Sequence, residues 1–371
     1  MQIIGIIVEY NPFHNGHLYQ INQVKKRYPD SVLIVVMSGP FTQRGDISVL
    51  SKYQKTKVTL AYGVDIVLEL PYFYATQSAD YFAEGSIKIL NEFKIDTLVF
   101  GTEDEDLEQI KNTAKLQEEP DFKLRVRTEL KKGVSYPTAL ANAAGSNINT
   151  PNNLLGISYL KAIDKINPNI EAVAIQRTND YHSEEITSNI ASATSVRKHM
   201  DNLELVKKTV PQETFEYLKT ADINEDLYFG LLKYKINHTE DLSVYLDVDE
   251  GLENRIKKVI NESNNLDDLI NNIKSKRYTY SKVKRMLNHI LIGLKKADDY
   301  EMDYLRILGF SKQGQVHINK IKKTTNLPII SCYKPNLSTM LDLNLKADLL
   351  YNQVANHKEA EDKVTPIFYE K

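Results

Sequence analysis

Residues Ile3 to Val8 form an apolar, β-type run that breaks at Asn11-Pro12. The chain re-emerges at Gly16 into Leu18, Ile21 and Val24, which recur at helical spacing. A buried strand handing over to a helix at the start of the chain constrains the fold more than any other stretch. Such a strand is covered by neighbours on both sides, and its carboxyl end becomes the edge at which α/β sheets hold phosphates on helix N-termini. The pattern then repeats. Strands are expected at Ser31 to Met37, Asp65 to Leu70, Asp96 to Phe100 and Ile170 to Ile175, with helices at Ser51 to Tyr62, Ser78 to Phe93 and Leu154 to Ile166. Short apolar strands alternating with helices predict an α/β fold, a Rossmann-like doubly wound parallel sheet with right-handed crossovers.

The first strand-to-helix loop carries His14-Asn15-Gly16-His17. A helix start offers free N–H groups and a positive dipole end, and Gly16 lets a phosphate chain approach without a Cβ in the way. An imidazole can donate to a non-bridging phosphate oxygen, stabilising charge that moves onto a leaving pyrophosphate when the α-phosphorus is attacked. Two surface histidines in a turn would read the same way in isolation; their place between a buried strand and a helix argues for a site.

Other loops fall at the same strand-end edge. Ser38 to Asp46 is polar and Gly-rich and reads as a substrate loop or a plain connector. Gly101 closes a strand, as a turn residue or as access for an adenine or ribose. Pro151-Asn152-Asn153 starts a helix with a capping-type asparagine, and Arg177 is a cation at a strand end. Ile190 to Lys198 places small hydroxyl residues before a helix with Arg197 and Lys198 one turn in, either an anion site with its counter-charges or a cap followed by surface charges.

Composition excludes several classes. In 371 residues, 42% hydrophobic and 26% charged, there is room for two folded domains, and the net charge of -2 gives no global attraction to polyanions. Cys332 stands alone, so neither an intramolecular disulfide nor a cysteine-based zinc site is expected, and a reducing cytosol fits. Met1-Gln2 gives no basic leader and no stretch is long enough to span a membrane, so a cytoplasmic location is expected.

Near residues 200 to 210 the strand–helix alternation gives way to helical periodicity. Two domains are therefore expected: 1–205, carrying the chemistry, and 206–371, mainly helical. From Asp222 to Asp268 there are twelve acidic against five basic residues; from Leu269 to Met340 there are fourteen basic against four acidic. Lys274 to Lys296 has eight basic residues, no acid, and Tyr278 and Tyr280 among them. Clustered cations with interleaved aromatics suggest a local RNA surface, with Lys282, Lys284 and Arg285 as phosphate contacts.

With those residues in view, the N-terminal half resembles the HIGH-motif nucleotidyltransferase superfamily, in which an H-x-G-H after the first strand and a late S-x-T/S-x-x-R-type motif embrace ATP phosphates. His14 to His17 and Ser192 to Arg197 match that pair. The whole chain is similar to the tRNA(Met) cytidine acetate ligase family through Val8 to His17, Ser38-Gly39 with Gln43 to Asp46, Glu69-Leu70-Pro71, Gln77 to Gly85 and Pro151 to Asn153. The resemblance implies that ATP and acetate form acetyl-adenylate, whose acetyl group passes to N4 of the wobble cytidine of elongator tRNA(Met). It implies ATP contacts at Ile7, Val8, Glu9, Tyr10, Asn11, Pro12, Phe13, His14, Asn15, Gly16, His17, Leu18, Tyr19, Gln20, Gly101, Asn152 and Arg177. His14, His17 and Arg197 would be catalytic, with a magnesium ion accompanying the ATP and no protein-built metal site. Two rivals remain open on the residues alone: a small-molecule adenylyltransferase acting on a cofactor precursor, and a non-catalytic, nucleotide-responsive RNA-binding protein. Neither an acetate pocket nor a base for the cytidine amine is legible.

Overall fold

The computed structural model describes residues 1–103, 107–144, 150–176, 186, 189–298, 300–334, 337–357 and 364–370. Its sheet is built first from β1 (Ile3–Val8), β2 (Val32–Ser38), β3 (Ile66–Leu70), β4 (Thr97–Thr102) and β5 (Glu171–Gln176), parallel and in the order β5-β4-β1-β2-β3. Between them run α1 (Asn15–Arg27), α2 (Lys52–Ala61), α3 (Tyr72–Ala75), α4 (Ala79–Glu92), α5 (Leu107–Glu118), α6 (Pro120–Lys131), α7 (Tyr136–Ala144) and α8 (Pro151–Ile166). The doubly wound α/β expectation holds, with element ends displaced by a residue or a few.

Every residue of β2 is buried, because both faces of the sheet are covered: Ile34 and Val36 join one apolar cluster, and Leu33, Val35 and Met37 the other. From β1 the order grows through β2 and β3 on one side and through β4 and β5 on the other. The crevice beyond the carboxyl ends of β1 and β4 is thus a topological switch point, where such sheets bind ligands.

After β5 come α9 (Ala193–Lys198), α10 (Leu203–Val206), α11 (Gln212–Leu218), α12 (Glu225–Asn237), α13 (Leu252–Val259), α14 (Leu266–Ile273) and α15 (Tyr280–Ile292). Then follow β6 (Leu305–Ser311), α16 (Lys312–Ile321), β7 (Ile329–Ile330), α17 (Thr339–Val354) and β8 (Ile367–Tyr369). Residues beyond 205 are mainly helical, as expected, but they also return strands to the sheet. Strand β6 pairs antiparallel with β3, and β7 and β8 pair with β6. The expected division near 205 therefore marks a change in helix content and not the edge of the sheet.

Arg306 hid that strand from the sequence pattern. It sits buried within β6, with Nη1 3.2 Å from Glu69 of β3, while Lys52 of α2 lies 2.9 Å from Glu69 and 2.5 Å from Asp348 of α17. Two cations and two anions, none more than 3% exposed, close on one another. Removing one partner of such a set would leave an uncompensated buried charge, at a cost of about 3–5 kcal/mol.

Candidate active site

At the end of β1 the chain turns through Tyr10 (φ 48), and Phe13 is fully buried against Tyr10 and Tyr62, with ring centroids 4.8 and 5.7 Å away. These aromatic anchors hold the loop on the sheet. His14 follows as the N-cap of α1, 2% exposed. Its Nδ1 accepts the Gly16 N–H at 3.0 Å, and the His14 N–H donates to Nδ1 of His17 at 3.3 Å. The rings stack with centroids 3.7 Å apart. The pair is a capping box made of histidines. With each Nδ1 accepting a main-chain N–H, a neutral imidazole carries its proton on Nε2 as a donor. Gly16 has a second reason to be glycine besides phosphate access: a Cβ there would lie 2.9 Å from Cε1 and 3.0 Å from Nδ1 of His14.

This loop opens into a cavity of about 1010 Å³. The expected nucleotide residues all line it except Pro12, Phe13, Asn15 and Leu18, with Arg177 lying outside the described residues. Phe13 and Leu18 pack into the core instead, and Asn15 donates to the carbonyls of Asn189 and Lys208. Gly101 and Asn152 form part of the wall. The Glu103 carboxylate accepts the N–H groups of Asn152 and Asn153 at 3.3 and 3.1 Å, capping α8.

The Ser38 to Asp46 loop reaches the same cavity through Thr42, Gln43, Arg44 and Asp46. Its Gln43 N–H donates to Glu9 at 2.5 Å. Beneath it, fully buried Lys55 donates to the carbonyls of Glu9, Ser38 and Gly39 at 3.0, 2.9 and 3.0 Å, tying together the ends of β1 and β2. Burial pushes the Lys55 ammonium down to about 7, against the opposing pull of Glu9 and Glu69. Burial likewise raises the Glu9 carboxyl above its ordinary value, opposed by the Gln43 N–H.

Ser192 caps α9 by accepting the Ser195 N–H at 3.0 Å. One turn on, Arg197 Nη1 donates to the Asn11 carbonyl at 2.6 Å, and Nη2 lies 3.6 Å from Asp46. The two motifs singled out in the sequence thus meet at one cavity. Asp46 also pairs with Lys284 at 2.8 Å. Burial works to raise the Asp46 pKa, but Lys284 and Arg197 prevail and hold it below the ordinary value.

The residues expected to contact RNA also turn toward the protein's own interior. Lys282, Lys284 and Arg285 are half-buried. Lys284 is held by Asp46, and Arg285 Nη1 donates to the Gln43 carbonyl at 3.3 Å, while Lys282 and Arg285 line the cavity. Gly45, at φ 84, would place a Cβ 3.0 Å from the Arg285 nitrogen, so α15 lies directly on the Gln43–Asp46 turn. The exposed cations between Lys274 and Lys296 are Lys274, Lys276, Arg277, Lys295 and Lys296. Sequence reasoning missed Lys55 and Asp247. Lys55 reads as an ordinary helix lysine, and Asp247, on the cavity wall, sits in a short turn without pattern. Among the described residues no group of three or more His, Cys, Asp or Glu could hold a metal ion.

A HIGH Nucleotidyl Transferase family model matches residues 1–365. A tRNA(Met) cytidine acetate ligase of Bacillus subtilis is 38% identical, over 95% of this chain and 92% of that protein. One of Caldicellulosiruptor bescii is 37% identical over 99% of each. Among solved structures, apo Thermotoga maritima TmcAL superposes with a TM-score of 0.90 at 29% identity over the full length of both chains. The same protein bound with alpha-thio ATP gives 0.87.

Proposed function

Because the chain belongs to the HIGH nucleotidyl transferases and, among them, to the tRNA(Met) cytidine acetate ligases, we propose that it activates acetate with ATP and acetylates N4 of the wobble cytidine of elongator tRNA(Met). The observation that carries this reading is the stacked His14–His17 pair, its Nδ1 atoms filled by main-chain donors, on the cavity that Arg197 also enters. Acetate attacks the α-phosphorus of bound ATP and pyrophosphate leaves. The Nε2–H groups of His14 and His17 and the Arg197 guanidinium stabilise charge on the phosphate oxygens. The donors are fixed before ATP arrives, so little reorganisation opposes the reaction. Amide formation from free acetate and a weakly nucleophilic amine is uphill in water, and the mixed anhydride makes the second step possible.

Magnesium is proposed as a companion of the triphosphate, held by phosphate oxygens, and no step is assigned to it. Residues 1–205 are proposed to supply ATP recognition and 206–371 the tRNA surface, with α15 the element shared by both. No described helix is long and apolar enough to cross a membrane, and a cytoplasmic location fits a tRNA substrate. The test is His14→Ala and His17→Ala: each should lower acetate-dependent release of pyrophosphate by roughly 10²-fold or more while tRNA binding survives. Near-normal rates in both variants would move the chemistry elsewhere.

A further inference from the structure

Among the described residues, four carboxylates line the cavity: Glu9, Asp46, Asp80 and Asp247. Asp46 is held by Lys284 and Arg197. Asp80 is held by Lys161 at 3.0 Å and by the Ser158 hydroxyl at 2.7 Å. Glu9 accepts the Gln43 N–H. Asp247 differs. It holds a left-handed backbone conformation, φ 67, a region in which a non-glycine residue is a reason to look for function. Its Oδ2 lies 3.5 Å from Nε2 of His289, a fully buried imidazole on α15. That Nε2 has no hydrogen-bond partner among the described residues, and neither does the buried Nε of Arg285 one turn earlier. On its far side, Nδ1 of His289 meets the Tyr72 hydroxyl at 3.1 Å. Buried polar groups are almost always satisfied, so two orphans beside a carboxylate that lines the reaction cavity call for an explanation.

We propose that Asp247 is the base that takes the proton from the attacking cytidine amine, with His289 as the residue that positions it. The inference rests on the acetyl transfer reading above. The N4 lone pair forms a bond to the acetyl carbonyl carbon, and the carbonyl π pair moves to oxygen. When the tetrahedral intermediate collapses, the bond from that carbon to the phosphate oxygen breaks and AMP leaves with the electron pair. One N4–H proton passes to the Asp247 carboxylate, which becomes a carboxylic acid and later returns the proton to water. As the N–C bond forms, the nitrogen becomes cationic and its proton more acidic than a carboxylic acid, so a carboxylate is base enough. The groups facing Asp247 are His289, Arg285 and Lys282 of α15, with Tyr72 of α3 behind His289. Burial works to raise the Asp247 pKa, but His289, Arg285 and Lys282 outweigh it and keep the group charged.

Asp247→Asn keeps the shape, and asparagine accepts the left-handed backbone as readily as aspartate, so the fold is retained. Enzyme is loaded with ATP and labelled acetate, then mixed with elongator tRNA(Met) in a single turnover. Expected are unchanged pyrophosphate release without tRNA and acetyl transfer slowed by about 10²-fold or more. The residual transfer should climb with pH where the wild-type rate is flat. His289→Gln should slow transfer alone, and should add nothing on top of Asp247→Asn. Asp247→Asn transferring at the wild-type rate overturns the assignment, as does slowing both steps equally. A Glu9→Gln variant defective only in transfer, beside a normal Asp247→Asn, would move the base to Glu9 and overturn it too. A wild-type protein that forms no acetyl-adenylate would overturn the underlying reading, which is a distinct result.

Discussion

Gly16→Ala isolates the positioning of His14 from its chemistry. The added Cβ would lie 2.9 Å from Cε1 and 3.0 Å from Nδ1 of the His14 ring, whereas carbon atoms pack at about 3.5–4.0 Å. The ring must therefore retreat by about 0.6–1 Å, which stretches the Gly16 N–H to Nδ1 bond of 3.0 Å and disturbs the stack on His17. A misplacement of about 1 Å costs roughly 10²-fold in rate. Stability moves the other way, because alanine is favoured over glycine in a helix by about 0.8–1 kcal/mol. The variant should accordingly keep its unfolding midpoint, lose less ATP affinity than turnover, and release pyrophosphate about 10²-fold more slowly with saturating acetate and ATP. Wild-type turnover in Gly16→Ala would refute the claim that a preorganised His14 drives the first step. A collapse of the unfolding midpoint in parallel with the rate would assign the glycine to folding instead.

Neutralising Lys282, Lys284 and Arg285 together should impair acetyl-adenylate formation even without tRNA, by roughly fivefold for about 1 kcal/mol lost from the Asp46 pair. It should lower the salt slope of tRNA affinity by about one, the share of Lys282, and not by about three; adenylate formation at the wild-type rate would return α15 to a purely RNA-facing role. Folding stability should also depend on pH through Lys55. Lys55 binds its proton up to about 7 when folded and up to its ordinary 10.5 when exposed. Between those values the unfolded chain carries more protons, so this group makes folding stability rise with pH across that window and contributes no slope below it. Lys55→Met should flatten the rise in urea midpoint between about pH 7 and 9; identical slopes in both proteins would show that Lys55 titrates normally.

What the sequence disclosed follows from where the periodicity was clean. Strands β1 to β5 are short apolar runs between helices, so local pattern and tertiary burial agree. The histidine loop was legible because a turn between such elements has few places to go. Strand β6 was not, since Arg306 interrupts its apolar run and is neutralised by Glu69 and Asp348, which lie far away in the sequence. The inward pairing of the α15 cations was hidden for the same reason. Charge composition cannot tell a solvated cation from Lys284, whose partner Asp46 lies far away in the sequence. Asp247 has no local signature at all, because its interest comes from His289 and the cavity it faces.

The central claim is most directly tested by following labelled acetate. The protein is incubated with ATP, labelled acetate and elongator tRNA(Met), beside a transcript whose wobble cytidine is replaced by uridine, and the RNA is digested to nucleosides. Label is expected in N4-acetylcytidine from the first transcript only, with AMP and pyrophosphate formed in equal amounts and no need for acetyl-coenzyme A. Label that never enters RNA while an adenylyl group is retained on a small molecule would contradict it, and would make this chain an adenylyltransferase of another kind.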